Sequence, residues 1–329
     1  MTDHADGADQ YFQPEQTGMY QLQTPAPELS TADGRGPVMV HALEGFSDAG
    51  HAIRLAAAHL KNTLPTELVA SFAIDELLDY RSRRPLMTFK NDHFTAYDDP
   101  ELNLYALHDS EGTPFLLLCG LEPDLRWERF IAAVRLLAER LGVRQVIGLG
   151  AMPMAVPHTR PITLTAHSNN RDLIAEHPAW FAEVQVPASV SNLLEYRMGQ
   201  YGYDVVGYTV HVPHYLAQTP YPPAAEALLA EVARTGSLQI PLAELAKAGA
   251  EVHDRINAQV EASPEVAQVV AALERQYDAF VVAQENRSLL ARDEDLPTGE
   301  ELAGEFERFL AQQSGQTFPE GFPEEGEQS

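Results

Sequence analysis

The chain is 329 residues long, has a hydrophobic fraction of 45% that supports a sizeable core, and is strongly acidic. Its 22 Lys and Arg against 48 Asp and Glu give a formal net charge of −26, which argues against binding to nucleic acid or to anionic membrane surfaces. The single cysteine excludes an intramolecular disulfide, and no apolar run reaches the length of a membrane-spanning helix, so we expect a cytoplasmic protein.

Composition divides the chain into four parts. Residues 1–36 are polar and rich in Asp, Gln, Pro and Gly, which predicts a flexible acidic arm. An α/β domain is predicted over residues 37–219 and an alanine-rich helical appendage over 220–283, followed by an acidic tail with one short helix over 284–329. An alternative for the arm is that its apolar residues dock onto the body or onto a neighbouring subunit; they are Tyr11, Phe12, Met19, Tyr20 and Leu22.

The α/β domain alternates strands and helices, and a strand that feeds a helix through a short turn is the unit of a parallel α/β sheet. In chain order, the pattern first predicts a strand over 37–44, a helix from about 48, a strand over 67–73 and a helical piece over 75–82. It next predicts a strand over 114–120, a helix over 126–141 and a strand over 143–151, followed by a loop from 152 to 161. The last predicted elements are a strand over 162–167, a short helix near 170–175, a strand over 183–187, a helix over 192–200 and a strand over 205–212.

Two further extended runs, residues 93–98 and 102–108, are separated by Asp98-Asp99-Pro100-Glu101. Acidic residues and proline between two alternating runs predict a hairpin. An antiparallel pair within this pattern makes the expected sheet mixed and mostly parallel. Beyond residue 220 the periodicity predicts three helices, over 223–234, 242–260 and 264–283.

Glycines and acids cluster where the predicted parallel strands end, which is where α/β proteins bind ligands. The candidate ligand-binding residues are Glu44, Gly45, Phe46, Asp48, Gly120, Glu122, Asp124, Gly150, Met152 and His211. The acids also have a structural interpretation. Asp48 suits the first turn of a helix, and Glu122 and Asp124 precede a helix start, where carboxylates are favoured.

The sequence contains no motif of a known reaction. A phosphate-binding P-loop pattern is missing, Gly148-Leu-Gly150 lacks the third glycine of a dinucleotide fingerprint, and Ala49 replaces the last glycine of a nucleophile elbow. His211 and His214 have no clear third metal ligand, and Cys119 has no cationic neighbour that would activate it. No catalytic residue, metal or cofactor is therefore predicted.

The most concentrated basic patch of the chain is Arg81, Arg83 and Arg84. Short charge runs are usually solvated loops, and this is the first interpretation of the patch. The alternative is that the three arginines bind an anion.

Three blocks carry a resemblance to a known family: Ala-Leu-Glu-Gly-Phe-Ser-Asp-Ala-Gly at 42–50, Leu-Cys-Gly-Leu-Glu-Pro-Asp at 118–124 and Gly-Leu-Gly-Ala-Met-Pro at 148–153. In order and spacing they resemble bacterial members of the proteasome-assembly-chaperone family, over about residues 38–212. The resemblance implies a three-layer α/β/α domain with a sheet similar to that of nucleoside phosphorylases.

The same resemblance implies self-association into a homo-oligomer, with a trimer as the expected number, and proteasome subunits as candidate partners. Eukaryotic relatives chaperone assembly of the proteasome α-ring without doing chemistry, so the family supplies no catalytic residues. Related archaeal proteins engage proteasomes through a C-terminal hydrophobic-Tyr-X tail. The present sequence ends Gly-Glu-Gln-Ser and lacks that pattern.

Two interpretations of function follow. The first is a non-catalytic, assembly-chaperone-like or interaction protein. The second is an enzyme or a binder of a small phosphorylated or nucleoside ligand at the strand-end glycine turns. It is supported by the sheet type and by the cluster of glycines and acids at the strand ends, and fold analogy alone is a weak argument for it. The first is preferred. An open polar pocket lined by Glu44, Asp48, Glu122 and Met152 would favour the second.

Overall fold

The computed structural model describes residues 18–23, 27, 29–31, 34–45, 48–178 and 183–290, with side chains described as far as residue 282. The chain comprises two compact units, Met1–Ala179 with Val186–Tyr277, and Trp180–Gln185 with Asp278–Ser329. The sheets, both apolar clusters and the candidate site residues belong to the first unit. The described part of the second consists of residues 183–185, which form no strand, and the helical residues 278–290.

The described residues form ten strands and seven α-helices, joined by turns and short 3-10 helices. The strands are β1 (Tyr20–Leu22), β2 (Val38–Glu44), β3 (Thr66–Phe72), β4 (Met87–Lys90), β5 (His93–Tyr97), β6 (Leu102–His108), β7 (Pro114–Leu121), β8 (Gln145–Met154), β9 (Leu164–Ser168) and β10 (Asp204–Pro213). The helices are α1 (Ala52–Thr63), α2 (Ile74–Leu77), α3 (Trp127–Arg140), α4 (Val190–Gln200), α5 (Pro222–Gly236), α6 (Ala243–Ala262) and α7 (Pro264–Leu290).

Eight strands form one mixed sheet in the order β1-β3-β6-β7-β2-β8-β10-β9. Its centre, β7-β2-β8-β10, is parallel, and antiparallel pairs extend it on both sides. The central strands are nearly continuous apolar runs because helices cover both of their faces. This confirms the predicted α/β class and the mixed, mostly parallel sheet.

Helices pack on the two faces of the sheet in separate apolar clusters. One cluster contains buried residues of α1, α5 and α6, and the other contains those of α3 and α4. The α3 stripe that includes Phe130, Ile131, Val134 and Leu137 is fully buried, as its spacing predicts. The three-layer α/β/α arrangement is therefore confirmed, together with helices at the C-terminal end. The proposed division at residue 219 stays a prediction, although α5 contributes to the same cluster as the sheet.

The predicted hairpin between residues 93–98 and 102–108 is wrong. β5 pairs with β4 in a separate two-stranded sheet, whereas β6 lies between β3 and β7 in the main sheet. β6 is almost completely buried, so hydrophobic burial favours its place inside the main sheet. β5 instead folds back through a turn at Asn91, whose φ of 58° an asparagine tolerates.

Other boundaries also differ from the predictions. Residues 183–187 form no strand, and Val184 and Val186 are both strongly exposed. The predicted loop at 152–161 begins later, because β8 continues to Met154 while it pairs with β10. Helix α2 is limited to one turn.

Part of the predicted flexible arm is ordered against the body. Met19 is fully buried, and β1 pairs antiparallel with β3. For Met19, Tyr20 and Leu22 the docking alternative therefore holds. Tyr11 and Phe12 lie outside the described residues, as does the short helix predicted within 284–329.

Candidate functional site

The carboxyl ends of β7, β2, β8 and β10 lie along one edge of the sheet because these four strands are parallel. The described candidate residues sit at this edge, as the strand assignments require. Phe46 lies outside the described residues. Acids that act on a ligand would have to face a common opening.

Glu122 is a buried residue that binds a helix N-terminus. Its Oε1 accepts hydrogen bonds from the backbone N–H groups of Val190, at 2.7 Å, and Ser191, at 3.4 Å, at the start of α4. Gly45 makes room for this carboxylate, since a Cβ at that position would lie 2.0 Å from Glu122 Oε2. The carboxylate therefore connects the end of β7 to α4.

Asp48 and Asp124 also hold backbone amides. Asp48 Oδ1 accepts from the Ile53 N–H at 2.7 Å, and burial raises the pKa of Asp48 above its ordinary value. Asp124 Oδ2 accepts from the Asp79 N–H at 2.9 Å, and its Oδ1 lies 3.0 Å from the Arg83 guanidinium. All three acids therefore have structural contacts. Asp48 holds the first turn of α1, as its position predicts, whereas Glu122 and Asp124 hold α4 and the Asp79 backbone rather than the start of α3.

Glu44 and Gly120 line an open cleft of about 600 Å³ at the carboxyl ends of β2 and β7. The Arg54 Nε lies 3.2 Å from Glu44 Oε2, and burial raises the pKa of Glu44. Gly120 is required in the strand, because a Cβ there would lie 2.1 Å from the Glu101 carbonyl oxygen. Cys119 also lines the cleft, but it is buried, and burial raises its thiol pKa to about 12.

Gly150, Met152 and His211 are not part of this cleft. The His211 ring lies between two threonine hydroxyls, with Nδ1 2.9 Å from Thr163 Oγ1 and Nε2 3.0 Å from Thr165 Oγ1. Burial lowers the pKa of His211, which favours the neutral ring. The candidate residues therefore do not converge on one pocket.

A group of three side chains that the sequence interpretation missed joins β2, β9 and α4; His41 and Glu195 are largely buried, whereas His167 is exposed. His41 is fully buried, and its Nε2 lies 3.2 Å from Glu195 Oε1, an ion-pair distance without hydrogen-bond alignment. His167 Nε2 forms a short hydrogen bond with Glu195 Oε2. Gly148 and Gly207 make room for the three side chains, because a Cβ on either would overlap them.

The charge state of this group follows from its contacts. Burial opposes the Glu195 charge, but the contacts with His167 and His41 outweigh it and lower the pKa of Glu195 to about 2. The bond to Glu195 raises the pKa of His167. Only the pairing of residues distant in sequence creates this network, so no local motif signals it.

The sequence interpretation also missed an exposed apolar surface on the β4–β5 sheet, called the hairpin surface below. It is formed by Leu86, Met87, Phe89, Phe94 and Tyr97, whose exposed fractions lie between 48% and 75%. The rings of Phe89 and Phe94 pack edge to face with centroids 5.1 Å apart. Apolar patches of this kind are typical of protein-binding surfaces.

Within the described ranges, no group of three or more His, Cys, Asp and Glu residues is arranged to hold a metal ion. None of the described helices is both long enough and apolar enough to cross a membrane.

The protein is therefore a three-layer α/β/α protein. Most of its strand-end acids hold backbone N–H groups and do not face a common pocket. The chain belongs to the PAC2 family, whose model matches residues 42–260. This confirms the resemblance of the three sequence blocks to the proteasome-assembly-chaperone family.

Solved structures show the same relationship. A Mycobacterium tuberculosis protein of unknown function is 77% identical, with a TM-score of 0.82 over 84% of this chain and 95% of that chain. A protein of unknown function from Corynebacterium glutamicum is 44% identical, with a TM-score of 0.77 over 80% and 98%. A proteasome-assembly chaperone homologue from M. tuberculosis is 25% identical, with a TM-score of 0.65 over 71% and 99%. No curated protein is significantly similar to this chain.

Proposed function

We propose that this protein is a non-catalytic, assembly-chaperone-like protein of the cytoplasm that acts by binding protein chains. Its partners are further copies of itself, in a homotrimer, and proteasome subunits. The hairpin surface is the observation that carries the proposal, because it offers a protein-binding face outside the strand-end edge.

The hairpin surface suits contact between copies of this chain. An isolated two-stranded sheet is marginally stable in water, so a large apolar face on one gains stability when it is covered. Residues 86–97 contain one Lys and one Asp and so carry no net charge, within a chain of net charge −26. Like-charged copies repel each other, and a neutral apolar segment is where they can approach at least cost.

The proteasome partner rests on the family. A relative that is 25% identical and shares the fold over most of its length is described as a proteasome-assembly chaperone homologue. The engagement of Asp48, Glu122 and Asp124 with backbone amides supports a role without chemistry.

The mass of the full-length protein in solution tests the self-association. Light scattering after size exclusion should give three times the chain mass of 36.2 kDa. Phe89→Ser combined with Phe94→Ser should lower this mass to that of one chain. As a matched control, Val266→Ser with Val269→Ser removes two exposed apolar residues of α7 and should leave the trimer intact. A monomeric wild type, or a trimeric hairpin variant, contradicts the proposal.

A binding assay with recombinant proteasome α-subunits tests the second partner. Immobilised full-length protein should retain α-subunits, and the control variant should retain them equally. Failure of the wild type to retain any α-subunit contradicts the proteasome partner and leaves the self-association to stand on the mass measurement.

A further inference from the structure

The open cleft at the ends of β2 and β7 collects charges of both signs from four separate segments. Helix α1 supplies Arg54 and Lys61, and the segment after α2 supplies Arg83 and Arg84. The connection from β5 to β6 supplies the carboxylates of Asp98, Asp99 and Glu101, and Glu44 completes the acids. With a volume of about 600 Å³, the cleft lies within the range of small-ligand sites.

Some of these charges are already engaged. Arg54 pairs with Glu44 at 3.2 Å, and Arg83 pairs with Asp124 at 3.0 Å. Arg83 also donates to the Glu122 carbonyl oxygen, which fixes it to the strand-end edge. Arg54 and Arg83 therefore mainly stabilise the walls of the cleft through contacts with other protein groups.

Five charged side chains of the cleft make no ion pair with any residue that the structure describes. They are the cations Lys61 and Arg84 and the acids Asp98, Asp99 and Glu101. The Lys61 ammonium instead lies 5.3 Å from the centre of the Tyr105 ring, a cation–π contact that holds it at the cleft wall. Glu101 Oε2 accepts a hydrogen bond from the Asn103 amide at 3.2 Å, which leaves its other carboxylate oxygen for a ligand. The cleft thus presents both cations and carboxylates without an ion-pair partner to the same ligand.

The charge of the whole chain narrows the ligand class. A purely anionic ligand is repelled at long range by a net charge of −26. A purely cationic ligand is attracted at long range, but it leaves Lys61 and Arg84 unmatched in the cleft. A ligand with both charges is neutral at a distance and matches both sets at close range.

We propose that this cleft binds a zwitterionic ligand, a free amino acid or a short peptide with uncapped ends. Its carboxylate pairs with Lys61 and Arg84, and its ammonium group pairs with Asp98, Asp99 and Glu101. Tyr105 and Leu121 in the lining provide apolar contact for a side chain. The cleft borders the hairpin surface and shares Leu86 with it, but none of its charged side chains belongs to that surface, so ligand binding here goes beyond the proposed function.

Calorimetric titration of the full-length protein with three matched probes tests the proposal. The probes are dialanine, N-acetyl-dialanine, which lacks the ammonium group, and dialanine amide, which lacks the carboxylate. A mixture of the twenty free amino acids and of their dipeptides is screened in parallel by saturation-transfer NMR. We expect binding of free ligands, and affinity at least about tenfold lower for each capped form of a bound peptide, because each loses one charge-assisted contact.

Two variants assign the ends of the ligand. Lys61→Gln should weaken binding of the free dipeptide by about tenfold and leave binding of the amide form unchanged, because that form has no carboxylate to lose. Asp99→Asn should weaken binding of the free dipeptide and leave binding of the N-acetyl form unchanged, because that form has no ammonium group to lose. Lys247→Gln removes an exposed lysine of α6 outside the cleft and is the matched control.

The proposal is overturned if neither dialanine nor the mixture binds, or if capped and free probes bind equally. It is also overturned if Lys61→Gln weakens the binding of all three probes by the same factor. A uniform loss would reflect only the change in the net charge of the protein and not a contact with the carboxylate. Success of these titrations with a monomeric wild type would uphold the ligand site and contradict the trimer alone.

Discussion

The carboxylate of Glu122 and the backbone N–H of Val190 form a 2.7 Å hydrogen bond across 68 residues of sequence. A helix N-terminus presents free N–H groups and a partial positive charge, both of which a carboxylate satisfies. The Ser189 hydroxyl satisfies a second group of the same helix, the Asn192 N–H, at 3.1 Å. The Glu122 carboxylate therefore fixes helix α4 to the end of β7, and this contact occupies a group that the sequence offered as a ligand-binding candidate.

Replacing this carboxylate tests how much it stabilises the fold. We expect Glu122→Ala to lower the free energy of unfolding by about 1–3 kcal/mol, since it leaves buried N–H groups unsatisfied. Glu122→Gln should cost less, because an amide oxygen can still accept a hydrogen bond. Urea unfolding followed by circular dichroism measures both changes.

Glu128 provides the comparison for Glu122. It is an exposed carboxylate near the start of α3 that pairs with Arg197 at 2.6 Å, and Glu128→Ala should cost less than about 1 kcal/mol. Equal costs for the Ala variants of Glu122 and Glu128 would mean that the buried contact contributes little.

The central strands could be predicted from the sequence, whereas this contact could not. Residues 114–120 and 205–212 are apolar runs between turn residues, and burial on both faces requires such runs. Glu122 stands just before α3 in the sequence, and local reasoning assigns it to that helix. Its carboxylate instead serves α4, and a contact over this separation leaves no local pattern.

Sequence reasoning missed the hairpin surface and the Glu195 network for different physical reasons. The pairing of β5 depends on whether β4 or β6 is its neighbour, which its own sequence does not determine. The residues Asp98-Asp99-Pro100 suit a hairpin turn and a break between two sheets equally well. His41 is one histidine in an apolar strand, and its meaning depends on Glu195, which is brought to it by the packing of α4. Such choices are made by tertiary contacts rather than by periodicity.

The Gly207 backbone makes room for the His167 ring, because a Cβ at residue 207 would lie 2.2 Å from His167 Cε1. We expect Gly207→Ala to displace the ring from Glu195 and to lower the free energy of unfolding by about 1–3 kcal/mol. In a His167→Ala background the same substitution should cost much less, since the overlapping ring is gone. A double-mutant cycle measures the difference, and additive costs would show that the ring does not occupy this space.

The Glu195 network predicts a pH dependence of stability with two sides. Because the pKa of His167 is raised in the folded protein, its contribution is complete below the ordinary value of 6.5 and is lost as pH rises through the raised value. Because the pKa of Glu195 is lowered to about 2, its contribution is complete above 4.5 and is lost as pH falls towards 2. The network should therefore stabilise the protein most between pH 4.5 and 6.5.

Subtracting a variant isolates this effect from the other titrating groups. The free energy of unfolding of wild type minus that of Glu195→Gln, measured from pH 3 to pH 9, should pass through a maximum in this window. His93→Gln changes an exposed histidine of β5 that lies outside the network and serves as the matched control variant. A difference that is independent of pH would contradict the assigned charge states.

The burial of Met19 predicts that the segment before β2 stabilises the body. Met19 has no exposed surface, its carbonyl oxygen accepts from the Ala73 N–H at 2.8 Å, and it packs in the same cluster as α3. Met19→Ala should lower the free energy of unfolding by about 2–5 kcal/mol, as truncation of a buried side chain does. Gln21→Ala alters an exposed residue of the adjoining strand β1 and should change the free energy of unfolding by less than about 0.5 kcal/mol. Equal, small effects in urea unfolding would indicate that this segment behaves as the flexible arm that its composition predicts.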